Sequence, residues 1–299
     1  MLQLGKYTIT GAILAPMAGY TDVAFRTLCK ECGAGLTVTE MVSVRGLVHD
    51  SQKTEQLMRL SEVERPSCIQ LFGNDPADFA AVAKTLDCDI IDINMGCPMP
   101  KIVNNGDGAA LLNNPERAGQ IVRAIKDVTD KPVTVKTRLG YMIDENQAAA
   151  LIESVAAAGA AAVTVHGRYA KQRYAGFSDS GEVLKLAKSS PIPIIANGDI
   201  GEVFPPDPHI AALMIGRAAL SNPHVFEDKP ADPFGTARRH IELLTQYFDE
   251  RYTINQVRKF FVHYFRRVNG SKALRSAVNI AESVSTVLHA VDYCEKLNQ

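Results

Sequence analysis

This chain has no apolar run near the roughly 20 residues that a bilayer-crossing helix requires. Its start, Met1-Leu-Gln-Leu-Gly-Lys-Tyr7, lacks the charged-then-apolar order of a signal peptide. Cysteine is sparse, with six in 299 residues. That does not suggest a disulfide scaffold, and it fits a reducing cytoplasm. Cys29-Lys-Glu-Cys32 is a lone C-x-x-C. Zinc takes four ligands and no second pair exists, so helix packing is the favoured reading. No G-x-G-x-x-G fingerprint follows a strand-like segment. A nicotinamide donor would therefore own no domain and would dock transiently.

Net charge is also nearly absent, at −1, but it is unevenly spread. Thr236 to Arg275 holds nine Lys/Arg against three Asp/Glu, a surplus of +6. The remainder carries 23 basic and 30 acidic residues, or −7. This asymmetry fits a polyanionic partner for the C-terminal part, and fits a solvated helical face equally well. With 46% hydrophobic and 22% charged residues the chain is globular, and its length suits one large α/β domain or two.

Seven short apolar segments end in or near a glycine: Ile13–Gly19, Cys68–Gly73, Ile90–Gly96, Val133–Gly140, Ala162–Gly167, Ile192–Gly198 and Ala212–Gly216. Leu36–Met41 is an eighth without the glycine. Helix-like stretches lie between them, over 22–32, 76–86, 115–128, 146–158 and 181–188. Eight strands alternating with helices over about 230 residues predict a (β/α)8 TIM barrel. Side chains alternate across a strand. Gln70, Asn94, Lys136, His166 and Asn197 therefore point inward near the C-terminal strand ends, the face where barrel enzymes keep their chemistry. Any one of these could be a satisfied core residue; five on one rim point to a site.

Two further features sit on that rim. Asn197-Gly198-Asp199 and Gly216-Arg217-Ala218 follow strands seven and eight, where barrels commonly bind phosphate. Arg217 adds a planar permanent charge. Cys97 follows Gly96 and precedes Pro98, which disfavours helix at the cysteine and places its thiol on a loop. Such a thiol can move a proton, attack an electrophile, or fill space.

Residues 1–226 form the expected barrel, 227–235 a polar, proline-bearing linker, and 236–299 a small C-terminal helical domain. Val203-Phe-Pro-Pro-Asp-Pro208 cannot be regular helix, so helix seven is expected to be very short or absent. In the helical domain, Arg258, Lys259, Arg266, Arg267, Lys272 and Arg275 are interleaved with Phe and Tyr, a pattern compatible with nucleic-acid contact or with a basic outer face.

Ala15-Pro-Met-Ala-Gly-Tyr-Thr-Asp22, Glu40-Met41, Gln70-Leu-Phe-Gly73, Asp92-Ile-Asn-Met-Gly-Cys-Pro98, Lys136-Thr-Arg-Leu-Gly140, His166-Gly-Arg168 with Gln172 and Tyr174, Ala196–Asp199 and Ile215–Ala218 together resemble the tRNA-dihydrouridine synthase family, most like its bacterial B-type subgroup. The resemblance covers nearly the whole chain. It implies an FMN enzyme that reduces C5=C6 of a tRNA uridine with NADPH or NADH. It implies that Pro16, Met17 and Ala18 line the flavin through backbone atoms, and that Gln70, Lys136 and His166 contact its ring or ribityl chain. Asn197, Gly198, Asp199, Gly216 and Arg217 would hold its phosphate. Asn94 and Arg168 would hold the target uridine or its phosphates, and Lys101, Arg138, Arg258, Lys259 and Arg275 would face tRNA. Cys97 would be the general acid that gives C5 its proton, a role that needs a neutral thiol. Pro98 to Ala110 would be a mobile loop that brings Cys97 to the base.

Two other readings stand beside this one. An FMN barrel reductase for a small molecule would give no purpose to the basic C-terminal part, and a tRNA-binding folding factor would not need Cys97.

Overall fold

The computed structural model describes residues 1–49, 51–200 and 207–299. Eight parallel strands close a barrel in the order β10-β3-β4-β5-β6-β7-β8-β9. They are β3 (Ile13–Leu14), β4 (Leu36–Ser43), β5 (Cys68–Phe72), β6 (Ile90–Met95), β7 (Val133–Arg138), β8 (Ala162–His166), β9 (Ile194–Asn197) and β10 (Ile210–Ile215). The expected barrel is thus present, with every strand near its predicted place.

The outer layer follows from local sequence. Its helices are α1 (Val23–Glu31), α2 (Val44–Val48), α3 (Gln52–Leu57), α4 (Pro76–Thr85), α5 (Pro100–Val103), α6 (Pro115–Lys126), α7 (Ala148–Ala157), α8 (Ser180–Ser189) and α9 (Arg217–Ser221). Asp75-Pro76 and Asn114-Pro115 each place a capping side chain before a proline that suits the first helical position. Asp22 and Asp179 cap α1 and α8 in the same way, each cap contributing about 1 kcal/mol. Of the predicted irregular segment after β9, residues 201–206 lie outside the described residues.

Parity sorts the strand side chains. Ile69, Leu71, Ile91, Ile93, Val133, Val135, Val163 and Val165 pack outward with Phe79, Ile121, Val122 and Leu151 of the helices. Inside, Cys68, Ile90, Ala162 and Ile195 close the lower barrel against Leu2, Leu4 and Ile9. Those last three belong to an antiparallel hairpin, β1 (Leu2–Leu4) and β2 (Tyr7–Ile9), that plugs the end opposite the rim. Gln70, Asp92, Asn94 and Lys136 occupy the interior row above this apolar floor.

The C-terminal helices are α10 (Pro233–Tyr247), α11 (Glu250–Tyr264), α12 (Ser271–Ile280) and α13 (Val284–Lys296). The expected linker is shorter than its sequence suggests, because Pro233 already begins α10 behind the Asp232 cap. Ile241, Leu244, Val257, Phe260 and Phe261 share one core with Phe25, Leu28, Cys29 and Cys32 of α1 and its exit. Cys29 and Cys32 are packing residues of that joint core.

Candidate active site

The Cys97 loop is held by a hydrogen-bonded chain that starts deep in the barrel. Thr134 Oγ1 donates to Asp92 Oδ1 at 2.6 Å, and Gln70 Nε2 donates to Asp92 Oδ2 at 2.6 Å. A carboxylate only accepts, so Gln70 turns its oxygen the other way and receives Asn94 Nδ2 at 2.9 Å. Asn94 Oδ1 then accepts the backbone N–H of Gly96 at 3.2 Å and of Cys97 at 2.9 Å, an Asx-type turn. Burial pushes the Asp92 carboxyl up, against the pull of Gln70, Thr134 and Lys136.

Arg138 holds the other side of the loop. Its Nε donates to Gly96 O at 2.9 Å, and its Nη1 donates to Tyr169 O at 3.2 Å and Arg173 O at 2.9 Å. The segment after the cysteine is more ordered than expected. It contains α5, started by Pro100, and a 3-10 stretch, Gly108–Asn113, and Ala109 N–H donates to Cys97 O at 3.1 Å. The segment read from sequence as a loop thus carries a helical turn and a 3-10 stretch, tied back to Cys97 by Ala109. Cys97 itself is half-buried. Burial raises its thiol pKa above the ordinary value; the Met99 backbone, Arg138 and Lys136 oppose this more weakly. The thiol is neutral near pH 7.

Beside it, Lys136 Nζ donates to Asn197 Oδ1 at 3.0 Å, and Asn197 Nδ2 donates to Met214 O at 2.8 Å. Burial, with Arg138 adding to it, lowers Lys136 to about 8. His166 is kept neutral, first by burial and then by Lys136, Arg138, Arg168 and Arg217. Arg168 Nη1 lies 3.3 Å from His166 Nε2. Guanidinium only donates, so Nε2 accepts and the imidazole proton sits on Nδ1.

The rim after β9 is built around Asp199, in left-handed backbone at φ +49°. Its carboxylate accepts Arg168 Nη2 at 2.5 Å, Arg217 Nη2 at 2.7 Å and the Ser178 backbone N–H at 2.9 Å. Asp199 thus faces two guanidiniums, not an anion, and aims both cations. Gly198 has φ +108°, and a Cβ there would stand 2.4 Å from Ser178 Oγ and 2.7 Å from His166 Cδ2. A Cβ on Gly167 would meet the same Oγ at 2.4 Å. Ser178 Oγ is buried with no partner. On the neighbouring strand end, a Cβ on Gly216 would lie 3.7 Å from Met17 Sδ, and Ala15 N–H donates to Ile215 O at 2.8 Å. The Pro16-Met17-Ala18 turn thereby borders the Gly216-Arg217 strand end, with Ala18 exposed.

Several expected contacts sit elsewhere. Gln70 is fully enclosed between Asp92 and Asn94. Arg168 is drawn into the Asp199 cluster by that carboxylate and by the carbonyl of Gly176. Arg138 is engaged by three carbonyls. Arg258 donates to Val278 O and Ala281 O, finishing α12. Lys259 donates to Gly19 O. Lys101 is exposed on α5, and Arg275 is half-buried on α12. Arg238 and Arg239 pair with acids, whereas Arg266, Arg267, Lys272 and Arg275 make no salt bridge among the described residues. Sequence reasoning placed no role on Ser178, Asp92 or Thr134, whose partners are set only by the closed barrel. Tyr174, 62% exposed, lies under Arg138 at 5.7 Å and Arg217 at 5.4 Å, so one ring spans both ends of the rim.

The donor set fits a phosphorylated flavin. Two guanidiniums are fixed on one carboxylate, a buried hydroxyl lacks a partner, and two glycines leave no room for a side chain around it.

Residues 13–298 match the family model described as Dihydrouridine synthase (Dus). Among relatives, tRNA-dihydrouridine synthase B of Proteus vulgaris is 32% identical over 97% of both chains. The same-named protein of Serratia marcescens is 33% identical over 99% of this chain and 96% of its own. The old yellow enzyme of Trypanosoma cruzi superposes with a TM-score of 0.52 at 12% identity, covering 83% of this chain and 96% of that one. Morphinone reductase in complex with tetrahydroNAD gives a TM-score of 0.52 at 13% identity, over 78% and 91%. At such identities these structures show a shared barrel fold. The family match spans nearly the whole chain, and the chain belongs to the dihydrouridine synthase family, flavin-dependent oxidoreductases that form dihydrouridine in tRNA.

Proposed function

We propose that the chain uses FMN, drawing electrons from NADPH or NADH in the cytoplasm, and that Cys97 is its proton donor. The observation that carries this is the Cys97 thiol. It is neutral, half-buried, and held between Asn94 and Arg138 on the same mouth as Lys136 and His166.

When bound, FMN supplies a hydride for C6 of the uracil ring. The chain's own residues do the rest. Arg168 and Arg217, with the backbone of Gly198 and Asp199, hold the phosphate. Lys136, held by Asn197, puts a cation where electron-rich ring atoms come to lie. His166 offers an Nδ1–H donor without adding charge. Cys97 keeps its proton until C5 becomes basic, then releases it as the loop anchors hold the sulfur in place. Asn94 gives one amide hydrogen to Gln70 and turns the other to Met41 Sδ at 3.8 Å, a weak contact that a uracil edge would replace.

A uridine must leave its stack to reach this mouth, which costs a few kcal/mol unless the base is already looped out. Recognition therefore rests on tRNA shape and backbone. Residues 236–299 form the tRNA-facing domain, with Arg266, Arg267, Lys272 and Arg275 for phosphates and Lys101 at the barrel mouth.

The test is Cys97→Ala. Purified protein should be yellow, and the variant should keep flavin and tRNA affinity while dihydrouridine formation collapses. Undiminished turnover in that variant would remove Cys97 as the acid.

A further inference from the structure

The loop from Ala15 to Asp22 joins β3 to α1, and its central peptide is gripped from both sides. Gly19 N–H donates to Glu40 Oε2 at 2.5 Å, and Gly19 C=O accepts from Lys259 Nζ at 2.5 Å. Glu40 stands on β4 of the barrel. Lys259 stands on α11, 240 residues along the chain. Gly19 has φ +80°, and a Cβ there would meet Lys259 Nζ at an ordinary 3.7 Å. Backbone conformation, not crowding, asks for glycine at this point.

The grip extends beyond one peptide. Lys259 Nζ lies 5.4 Å over the Tyr20 ring, and Tyr20 packs edge-on against Phe260 at 5.5 Å and His263 at 5.8 Å. Tyr252 Oη donates to Asp22 Oδ2 at 3.3 Å, while Asp22 also caps α1. One face of α11 thus holds Gly19, Tyr20 and Asp22. The ammonium of Lys259 points into this cluster, where Asp22 and Glu40 supply its counter-charge. A lysine serving an RNA phosphate would instead turn its head to solvent.

We propose that Glu40 and Lys259 are positioning residues that clamp the Gly19 peptide, and that through this clamp the helical domain sets the shape of the loop facing the flavin. The proposal rests on the reading that Pro16-Met17-Ala18 lines FMN. It adds that α11 acts on the cofactor site mechanically, through a backbone peptide, so that a shift of α11 against the barrel is felt at Met17.

The experiment uses the full chain, stripped of flavin and then titrated with FMN by fluorescence. It is done for the wild type, Lys259→Met, Glu40→Ala and the double variant. Amide hydrogen exchange over residues 17–21 is followed in the apoprotein, and tRNA binding is measured across salt concentrations. The clamp predicts that each single variant weakens FMN about 10- to 100-fold, the range of one or two lost charge-assisted hydrogen bonds. Exchange at 17–21 should quicken, the double variant should be no worse than the weaker single, and the salt slope of tRNA binding should stay at its wild-type value. Unchanged FMN affinity and exchange, with a slope smaller by about 1 for Lys259→Met, would make Lys259 a phosphate contact and overturn the clamp. Faster exchange with unchanged FMN affinity would overturn the coupling. Should Lys259→Met fail to fold, Glu40→Ala carries the same test from the barrel side. If the wild type itself takes up no FMN, the flavin reading fails, and that result is distinct from equal FMN affinities in wild type and variants.

Discussion

Asn94 Oδ1 accepts the backbone N–H of Cys97 at 2.9 Å. The residue that caps the strand therefore also aims the thiol. A displacement near 1 Å in a reacting group costs on the order of 10²-fold in rate. Asn94→Ala should lower the rate of dihydrouridine formation at saturating tRNA by about that factor, with flavin content unchanged. Asn94→Asp keeps an acceptor for the two N–H groups and should retain loop order, as judged by hydrogen exchange at residues 96 and 97.

Lys136 gives a stability signature with a definite sign. Its folded pKa of about 8 lies below the ordinary lysine value of 10.5. Between these, the unfolded chain holds more protons than the folded one, so this group makes stability rise with pH. Below pH 8 the cost of the buried charge is fully present. Urea unfolding of apoprotein from pH 7 to 9.5 should show the wild type gaining on Lys136→Met by up to roughly 1.4 kcal/mol per pH unit above 8. A gap that does not move with pH would sink this assignment.

His166 should not titrate across the working range. Burial and four neighbouring cations hold it neutral, with its proton on Nδ1. Nitrogen-15 imidazole shifts of the apoprotein should stay at the neutral Nδ1–H pattern from pH 8 down to 5.5. His240, lowered to about 3 by burial, should do the same. An inflection in activity near pH 6.5 must then come from some other group.

Gly198 and Ser178 should respond in opposite directions. Gly198→Ala forces a side chain to φ +108° and within 2.4 Å of Ser178 Oγ. It should cost about 1–3 kcal/mol or more of apoprotein stability and release flavin. Ser178→Ala removes a buried hydroxyl without a partner, and the apoprotein should gain about 1 kcal/mol. Chemical unfolding of both variants checks the pair.

The basic C-terminal helices divide into two groups by partner. Arg266→Ala, Arg267→Ala and Lys272→Ala should each reduce the salt slope of tRNA binding by about 1 with little change in stability. Arg258→Ala should do the reverse, because its guanidinium finishes α12. Filter binding at several salt concentrations, alongside thermal melts, separates the two outcomes.

The barrel was legible because strand-end glycines and strand parity are local signals. Ile90-Ile-Asp-Ile-Asn-Met95 states its own length and its two faces within six residues. The rim residues were legible for the same reason. What each polar group holds was not, since that depends on distance across the closed barrel. Asp199 meets Arg168 across 31 residues of chain, and Lys259 meets Gly19 across 240. An arginine on a rim looks like a ligand for a substrate whether it faces outward or completes a carbonyl cluster, as Arg138 does. The hairpin of Leu2–Leu4 and Tyr7–Ile9 also went unread, because three alternating residues are too few to distinguish a strand from chance.

That hairpin closes the lower end of the barrel among the described residues. Leu2, Leu4 and Ile9 pack at the lower end with Cys68, Ile90 and Ala162, so among the described residues Asp92 sits between an apolar floor and the polar mouth. A ring seated at the mouth would then act as a stopper. Deuterium exchange into the Gln70 and Thr134 side chains beneath it should slow sharply when the stopper is in place, which turns those two buried groups into a gauge of occupancy.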